Sequence, residues 1–262
     1  MIIIGERLNS TRRPILEAMQ RRYGDFLAAE AVRQKNAGAD YIDLNAAALM
    51  EEEVPMLTWA IPLLQKAASL PLAIDSPNPE AIEAGLKVHE GQAIVNSLTA
   101  EKSRIERLLP LIREHKPRVI VLCLDDSGLP KDPDTALAIA RKMVELLAGR
   151  GLSPEDIFID PLVRSVAADP GAGRLFLDSL AAIKEALPKV KTIAGLSNVS
   201  FGLPQRGLIN RTLLALAMGR GLDAAICDPS DKDFQASLRA ADALLGRDPS
   251  LKSYLRFARN KN

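Results

Sequence analysis

The sequence predicts an α/β fold, a single (β/α)8 TIM barrel over residues 1–262, on three observations. Short apolar runs alternate about eight times with longer amphipathic stretches. Several runs are almost continuously apolar, as parallel strands buried on both faces must be. The residues that close successive runs, Glu6, Asn45, Asp75, Asn96, Leu124, Asp160, Ser197 and Cys227, stand 39, 30, 21, 28, 36, 37 and 30 positions apart. A strand, a crossover helix and two turns need roughly 30 residues, so each interval holds one unit. Eight units fit a chain of 262 residues, since such a barrel takes about 250.

The first run, residues 2–5, has strand length; with no basic leader and too few apolar residues for a signal-peptide core, it reads as a buried strand. Gly5-Glu6-Arg7-Leu8-Asn9 lacks the glycine fingerprint that an open doubly wound sheet carries after its first strand. Runs two and three are residues 41–44 and 72–74, and between them Met56, Trp59 and Leu63 are spaced for one helical packing face. After run four, 93–95, Ile105, Leu108, Leu109 and Ile112 mark a helix over 102–115, whose end places His115 to complement the helix dipole. Run five is 119–124. The loop from Lys131 then leads into a helix over 135–147, with Asp134 as its N-cap and Gly149 as its stop. Run six is 157–159, followed by a loop over 169–173; runs seven and eight are 192–196 and 224–227. The polar segment 256–262 is expected to fray.

Composition narrows the function. The net charge of +1, from 34 basic and 33 acidic side chains, argues against a nucleic-acid or anionic-membrane surface. Two cysteines and two histidines cannot build a disulfide framework or a zinc cluster. Cys123 and Cys227 read as small buried hydrophobes, and His89 has no evident partner. No apolar run approaches the ~18 residues that span a bilayer. A cytoplasmic protein with no bound metal is the expectation.

In such a barrel the chemistry sits at the carboxyl ends of the strands. Here those ends carry Glu6, Asp43 and Asn45, Asp75-Ser76, Asn96-Ser97, Asp125-Asp126, Asp160, Ser197-Asn198 and Asp228, with no histidine among them. Any one of these could be a helix cap or Asx turn. As a set they suit a neutral heterocycle rich in N–H groups: a carboxylate accepts two parallel N–H bonds from an amidine-like edge, and an amide offers a donor and an acceptor. A divalent cation on Asp43, Asp75 and Asp160 is the competing idea, made less attractive by the amides.

The motifs Ile4-Gly5-Glu6-Arg7-Leu8-Asn9, Asp43-Leu44-Asn45, Ile74-Asp75-Ser76, Asn96-Ser97, Asp160-Pro161-Leu162 and Gly195-Leu196-Ser197-Asn198-Val199-Ser200 occur in this order, followed by Arg206 and Ile209-Asn210-Arg211-Thr212. Their joint order resembles the methyltetrahydrofolate:corrinoid (cobalamin) methyltransferases, including the folate module of cobalamin-dependent methionine synthase. The resemblance implies a methyl group moved between N5 of 5-methyltetrahydrofolate and the cobalt of cobalamin carried by a partner corrinoid protein, which docks over the barrel mouth; it also implies a homodimer. It further implies that Asp75, Asn96 and Asp160 hold the pterin edge, and that Asn198 hydrogen-bonds near N5 to assist its protonation. Gly195 and Ser197 would line the pocket and Arg206 its rim. Asp75 is a candidate terminus of a proton relay, and Glu6, Asp43 and Asn45 are further candidates. Arg12 or Arg13 could meet the anionic glutamate tail of folate.

Two stretches depart from the acetogenic branch of that family: Asn45-Ala46-Ala47-Ala48, and Phe201-Gly202-Leu203-Pro204 after Ser200. Both look more like methionine synthase and methyl-donor demethylation systems, which implies a different corrinoid partner for the same folate chemistry. Two alternatives stay open. A dihydropteroate synthase-like pterin enzyme needs an anion site beside strand seven, where Asn198-Val199-Ser200 has no cation until Arg206. A non-catalytic folate-binding module needs only the polar ring.

Overall fold

A computed structural model describes residues 1–259. The chain opens with β1 (Ile2–Asn9), α1 (Arg13–Gln20), α2 (Gly24–Asn36), β2 (Tyr41–Asn45), α3 (Glu53–Ala68) and β3 (Leu72–Asp75). It continues through α4 (Pro79–Val88), β4 (Ile94–Thr99), α5 (Lys102–His115), β5 (Arg118–Leu122), α6 (Pro133–Ala148) and β6 (Ile157–Asp160). It ends with α7 (Ala172–Ala186), β7 (Lys191–Gly195), α8 (Arg206–Gly219), β8 (Ala224–Cys227), α9 (Lys232–Leu244) and α10 (Lys252–Arg259). The eight strands pair in parallel in chain order, and β1 meets β8 (Ile2 opposite Ala224, Gly5 opposite Cys227) to close the barrel.

The continuous apolar runs follow from this closure. Alternate residues of a strand face opposite sides, and here both sides are dry. Ile4, Ala73, Ile94, Ile120, Phe158, Ile193 and Ala224 fill the barrel interior. Their neighbours Ile3, Ile74, Val95, Val119 and Val121 belong to the second core, beneath the helices. Among the described residues no helix is long and apolar enough to cross a membrane.

Several sequence expectations need correction. β1 runs four residues further than expected, to Asn9, because a register shift against β2 between Gly5 and Leu8 lets it bend without ending. β4 likewise continues past Asn96 to Thr99 through a shift between Asn96 and Leu98. β5 stops at Leu122; beyond it Asp125 and Gly128 bridge in a tight turn. The N-cap of α6 is Asp132, whose Oδ1 accepts the Thr135 N–H at 2.7 Å; Pro133 and Asp134 already lie in the first turn. The 169–173 stretch is a loop only to Gly171, since α7 begins at Ala172. Arg256 to Arg259 are helical in α10, while 260–262 lie outside the described residues. The core face of α3 is Met56, Ala60, Ile61 and Leu64, whereas Trp59 and Leu63 close on Gly24 of α2. His89 does have partners: its Nε2 accepts the Leu72 N–H at 3.0 Å and lies 3.3 Å from Gln65 Nε2. Cys123 and Cys227 are buried and free, with thiols held protonated by desolvation.

Candidate functional site

A cavity of about 430 Å3 opens at the carboxyl ends of the strands. Glu6 of β1, Asp43 of β2, Asp75 of β3, Asn96 of β4, and Gly195, Ser197 and Asn198 at the end of β7 face it, with Arg206 at the start of α8. Strands widely separated in sequence therefore bring eight of the expected residues onto one wall. A larger cavity, about 520 Å3, is lined by residues of α9, α10 and the turn between them, none of them on a strand.

The polar side chains orient one another. Asn45 Nδ2 donates to Asp75 Oδ2 at 2.9 Å, while Asn45 Oδ1 accepts from Ser10 Oγ (3.0 Å) and from the Ala47 N–H (3.1 Å). Asn45 is thus a supporting residue behind the wall. Asn96 Nδ2 donates to Asp43 Oδ1 at 3.0 Å. Ser197 Oγ donates to Glu6 Oε2 at 3.3 Å. In this arrangement Asp43 and Asp75 each keep an oxygen without an internal hydrogen bond among the described residues. Asn198 is exposed on a short 3-10 turn, Leu196–Ser200, and its amide makes no hydrogen bond among the described residues. Gly195 lies close beneath it: a Cβ there would stand 3.1 Å from Asn198 Nδ2 and push the amide aside. Arg206 holds the turn from its far side, donating to the Ser197 carbonyl (2.7 Å) and to Ser200 Oγ (3.0 Å).

Burial makes this ring reluctant to ionise. Desolvation raises the Glu6 carboxyl, against the opposing Ser197 hydrogen bond. It raises Asp43 well above the usual range, and the neighbouring Asp75 charge adds to that. Asp75 is raised by burial as well, opposed by the Asn45 amide. Asp160 is pushed up to about 7 by desolvation, against the backbone N–H groups of Leu162 and Gly195. A low local dielectric also strengthens any hydrogen bond a ligand makes here. Among the described residues, no group of three or more His, Cys, Asp or Glu side chains is arranged to hold a metal ion.

Not every strand-end residue lines the cavity. Asp160 ends β6, but it is buried and its Oδ1 closes an Asx turn on the Leu162 N–H at 2.8 Å. Asp125 caps its own tight turn (Ser127 N–H, 2.8 Å), and Asp126 accepts from the first N–H of α5 (3.2 Å). Asp228 pairs with Arg7 at 2.6 Å and accepts the Ser230 N–H at 2.9 Å. Asp125 and Asp126 thus serve as turn and helix caps, while Asp228 combines an Asx turn with an ion pair to a residue far away in sequence. Ser76 lies under the wall, its Oγ donating to buried Glu53 at 2.7 Å. Arg13 pairs outward with Glu17, which leaves Arg12 as the cation of that loop on the cavity. Asn9 and Thr11 also line the cavity and were missed, because the bend that carries β1 past Gly5 has no sequence mark.

Comparison with known proteins gives matches in both sequence and fold. A family described as pterin binding enzymes matches residues 5–228. A methylcorrinoid:tetrahydrofolate methyltransferase of Eubacterium limosum is 34% identical over 97% of this chain and 94% of its own length. The methionine synthase of Mycobacterium tuberculosis is 28% identical over 88% of this chain, which spans 20% of that much longer protein. Among solved structures, a Xanthomonas albilineans dihydropteroate synthase in complex with 7,8-dihydropteroate superposes with a TM-score of 0.71 at 20% identity, covering 93% of each chain. A Yersinia pestis DHPS with a pterine-sulfa conjugate gives 0.67 at 16%, covering 94% of each. At these identities the structural likeness speaks for the fold alone.

Proposed function

Since this chain belongs to the pterin binding enzyme family, we propose that it is a methyltransferase moving the methyl group between N5 of tetrahydrofolate and the cobalt of a corrinoid. The corrinoid is a substrate, cobalamin held by a partner protein that docks over the barrel mouth. It supplies the methyl from cobalt or, in the reverse direction, takes it as Co(I). Folate binds in the mouth cavity. The free oxygen of Asp75 and the Asn96 amide receive the N–H edge of the pterin, with the buried Asp160 behind them completing that contact; Gly195 and Ser197 form the wall, and Arg206 the rim. Glu6, Asp43 and Asn45 hold that network in register, and Arg12 lies toward the glutamate tail. The active form is a homodimer.

One observation carries the role of Asn198. The amides of Asn45 and Asn96 are each engaged by a carboxylate, whereas the Asn198 amide faces the cavity unengaged. When the methyl carbon passes from N5 to Co(I), the N–C bonding pair stays on N5, which takes up a proton. Because a tertiary amine is a poor leaving group, N5 needs a hydrogen bond that strengthens as that charge develops. In the opposite direction N5 attacks the methyl carbon, the cobalt–carbon electron pair stays on cobalt, and N5 releases its proton. Asn198 strengthens its bond to N5 in the transition state, and Asp75 is the nearby proton acceptor or donor through water.

The test is methyl transfer from (6S)-5-methyltetrahydrofolate to cob(I)alamin, followed in the visible spectrum, and the reverse reaction from methylcobalamin. Asn198→Ala is expected to lower turnover about 10²–10³-fold while pterin binding, measured by calorimetry, persists. Pterin binding without transfer to free or protein-held cobalamin would favour a non-catalytic folate module. Dihydropteroate formation from a pterin pyrophosphate would favour the synthase-like alternative, and absence of pterin binding would overturn the reading.

A further inference from the structure

Arg104 stands apart from the other cations of the molecule. It occupies the first turn of α5, which itself holds no acidic residue and where the helix dipole disfavours a positive charge. Glu101 just before the helix and Asp75 favour the charge. It forms no ion pair among the described residues. Its guanidinium points back to the barrel and donates to three main-chain carbonyls. Nη2 reaches Ser76 O at 2.8 Å and Ser97 O at 2.8 Å, Nε reaches Ser97 O at 3.1 Å, and Nη1 reaches Pro77 O. Ser76 and Ser97 directly follow Asp75 and Asn96. The two strand ends are also tied to each other, since the Ser76 N–H donates to Asn96 O at 3.0 Å. Asp75, Asn96, Ser97 and Arg104 face one small cavity of about 330 Å3 beside the mouth. A planar fork with five donors can span three carbonyls at once; an ammonium cannot.

We propose that Arg104 is a positioning residue for pterin recognition: its guanidinium fixes the main chain at the ends of β3 and β4, and so sets where Asp75 and Asn96 meet the pterin edge. This rests on the reading of the mouth as a pterin site. Arg104 touches no reacting atom; it acts through the backbone that carries two ligand-facing side chains. Its charge also favours the ionised form of Asp75, against the burial that raises that carboxyl.

Calorimetric titration with 5-methyltetrahydrofolate tests this on the intact protein, with Arg104→Ala, Arg104→Lys and, as control, Arg118→Ala. Arg118 begins β5 at the opposite barrel end and pairs with Asp156 at 3.1 Å. Arg104→Ala is expected to weaken folate binding about 10- to 100-fold, the range for sub-ångström misplacement of binding groups, with the KM for corrinoid unchanged. Millimolar guanidinium should restore part of the lost affinity in Arg104→Ala and none in Arg118→Ala. Arg104→Lys should fall between wild type and Arg104→Ala. Folate affinity equal to wild type in Arg104→Ala would overturn the proposal, as would a loss that guanidinium does not relieve and that follows a fallen melting temperature. If Arg104→Ala does not fold, Arg104→Lys decides: weaker folate binding at unchanged melting temperature supports it, wild-type binding overturns it. A wild-type protein that binds no pterin is a separate result, and removes the pterin reading itself.

Discussion

Asp160 shows how one buried carboxyl couples the site to pH. An unfolded aspartate titrates near 3.9, and in the folded chain burial pushes this group up to about 7. Because the folded value is raised, its contribution to stability is full below about pH 4 and is lost as pH rises through about 7. In the proposed contact the pterin N–H groups need the ionised form of Asp160 as acceptor, so binding runs the other way. Affinity for 5-methyltetrahydrofolate should tighten as pH rises toward about 7, by up to tenfold per unit well below that point, and then level off. Asp43 and Asp75, also raised by burial, act in the same direction. In Asp160→Asn the component near pH 7 should vanish from both the melting curve and the binding isotherm; an unchanged slope in that variant would count against the assignment. At this scale the sequence is informative about residue type and nearly silent about engagement. Asp160 and Asp228 look alike as strand-end carboxylates, but only the tertiary fold puts Arg7 within 2.6 Å of Asp228 and leaves Asp160 without a cationic partner.

Helices were legible where periodicity and turn chemistry coincide. The helix read over 102–115 is α5 residue for residue, because Ile105, Leu108, Leu109 and Ile112 recur on one face. The start of α6 was displaced by two residues, since Asp132 and Asp134 are both plausible caps and Pro133 separates them. Proline favours the first helical position, which makes the residue before it the cap. Asp132→Ala should therefore lower the urea midpoint, and Asp134→Ala, which loses only a dipole interaction, should lower it less; the reverse order would show the cap misassigned. Strand ends were less legible. The shifts within β1 and β4 depend on how each strand meets its neighbour, not on its own residues. At Gly5 the reason is visible only in three dimensions: an added Cβ would stand 2.3 Å from Oε1 of buried Gln34, the same oxygen that accepts the Arg7 N–H at 3.1 Å.

At the scale of the molecule, closure decides what the strand ends can do together. Arg7 sits at the seam where β1 meets β8, joining Glu30 of α2 (2.7 Å) to Asp228 after β8 (2.6 Å). Closure of the barrel also brings Glu6 and Ser197, 191 positions apart, to within a hydrogen bond. The proposed homodimer is also a property of the whole molecule. Sedimentation equilibrium should return twice the 28.4 kDa chain mass, and a mass of one chain at micromolar concentration would refute it. The order and spacing of apolar runs determined the eight-unit barrel, and the carboxylates and amides at their ends favoured an N–H-rich heterocycle over a cation, because local pattern and residue chemistry are written in the chain. Which of those residues face the cavity, which are engaged as caps, and that Arg104 braces two of them were decided by the tertiary structure alone. Each of these depends on the register between strands and on donors distant in sequence.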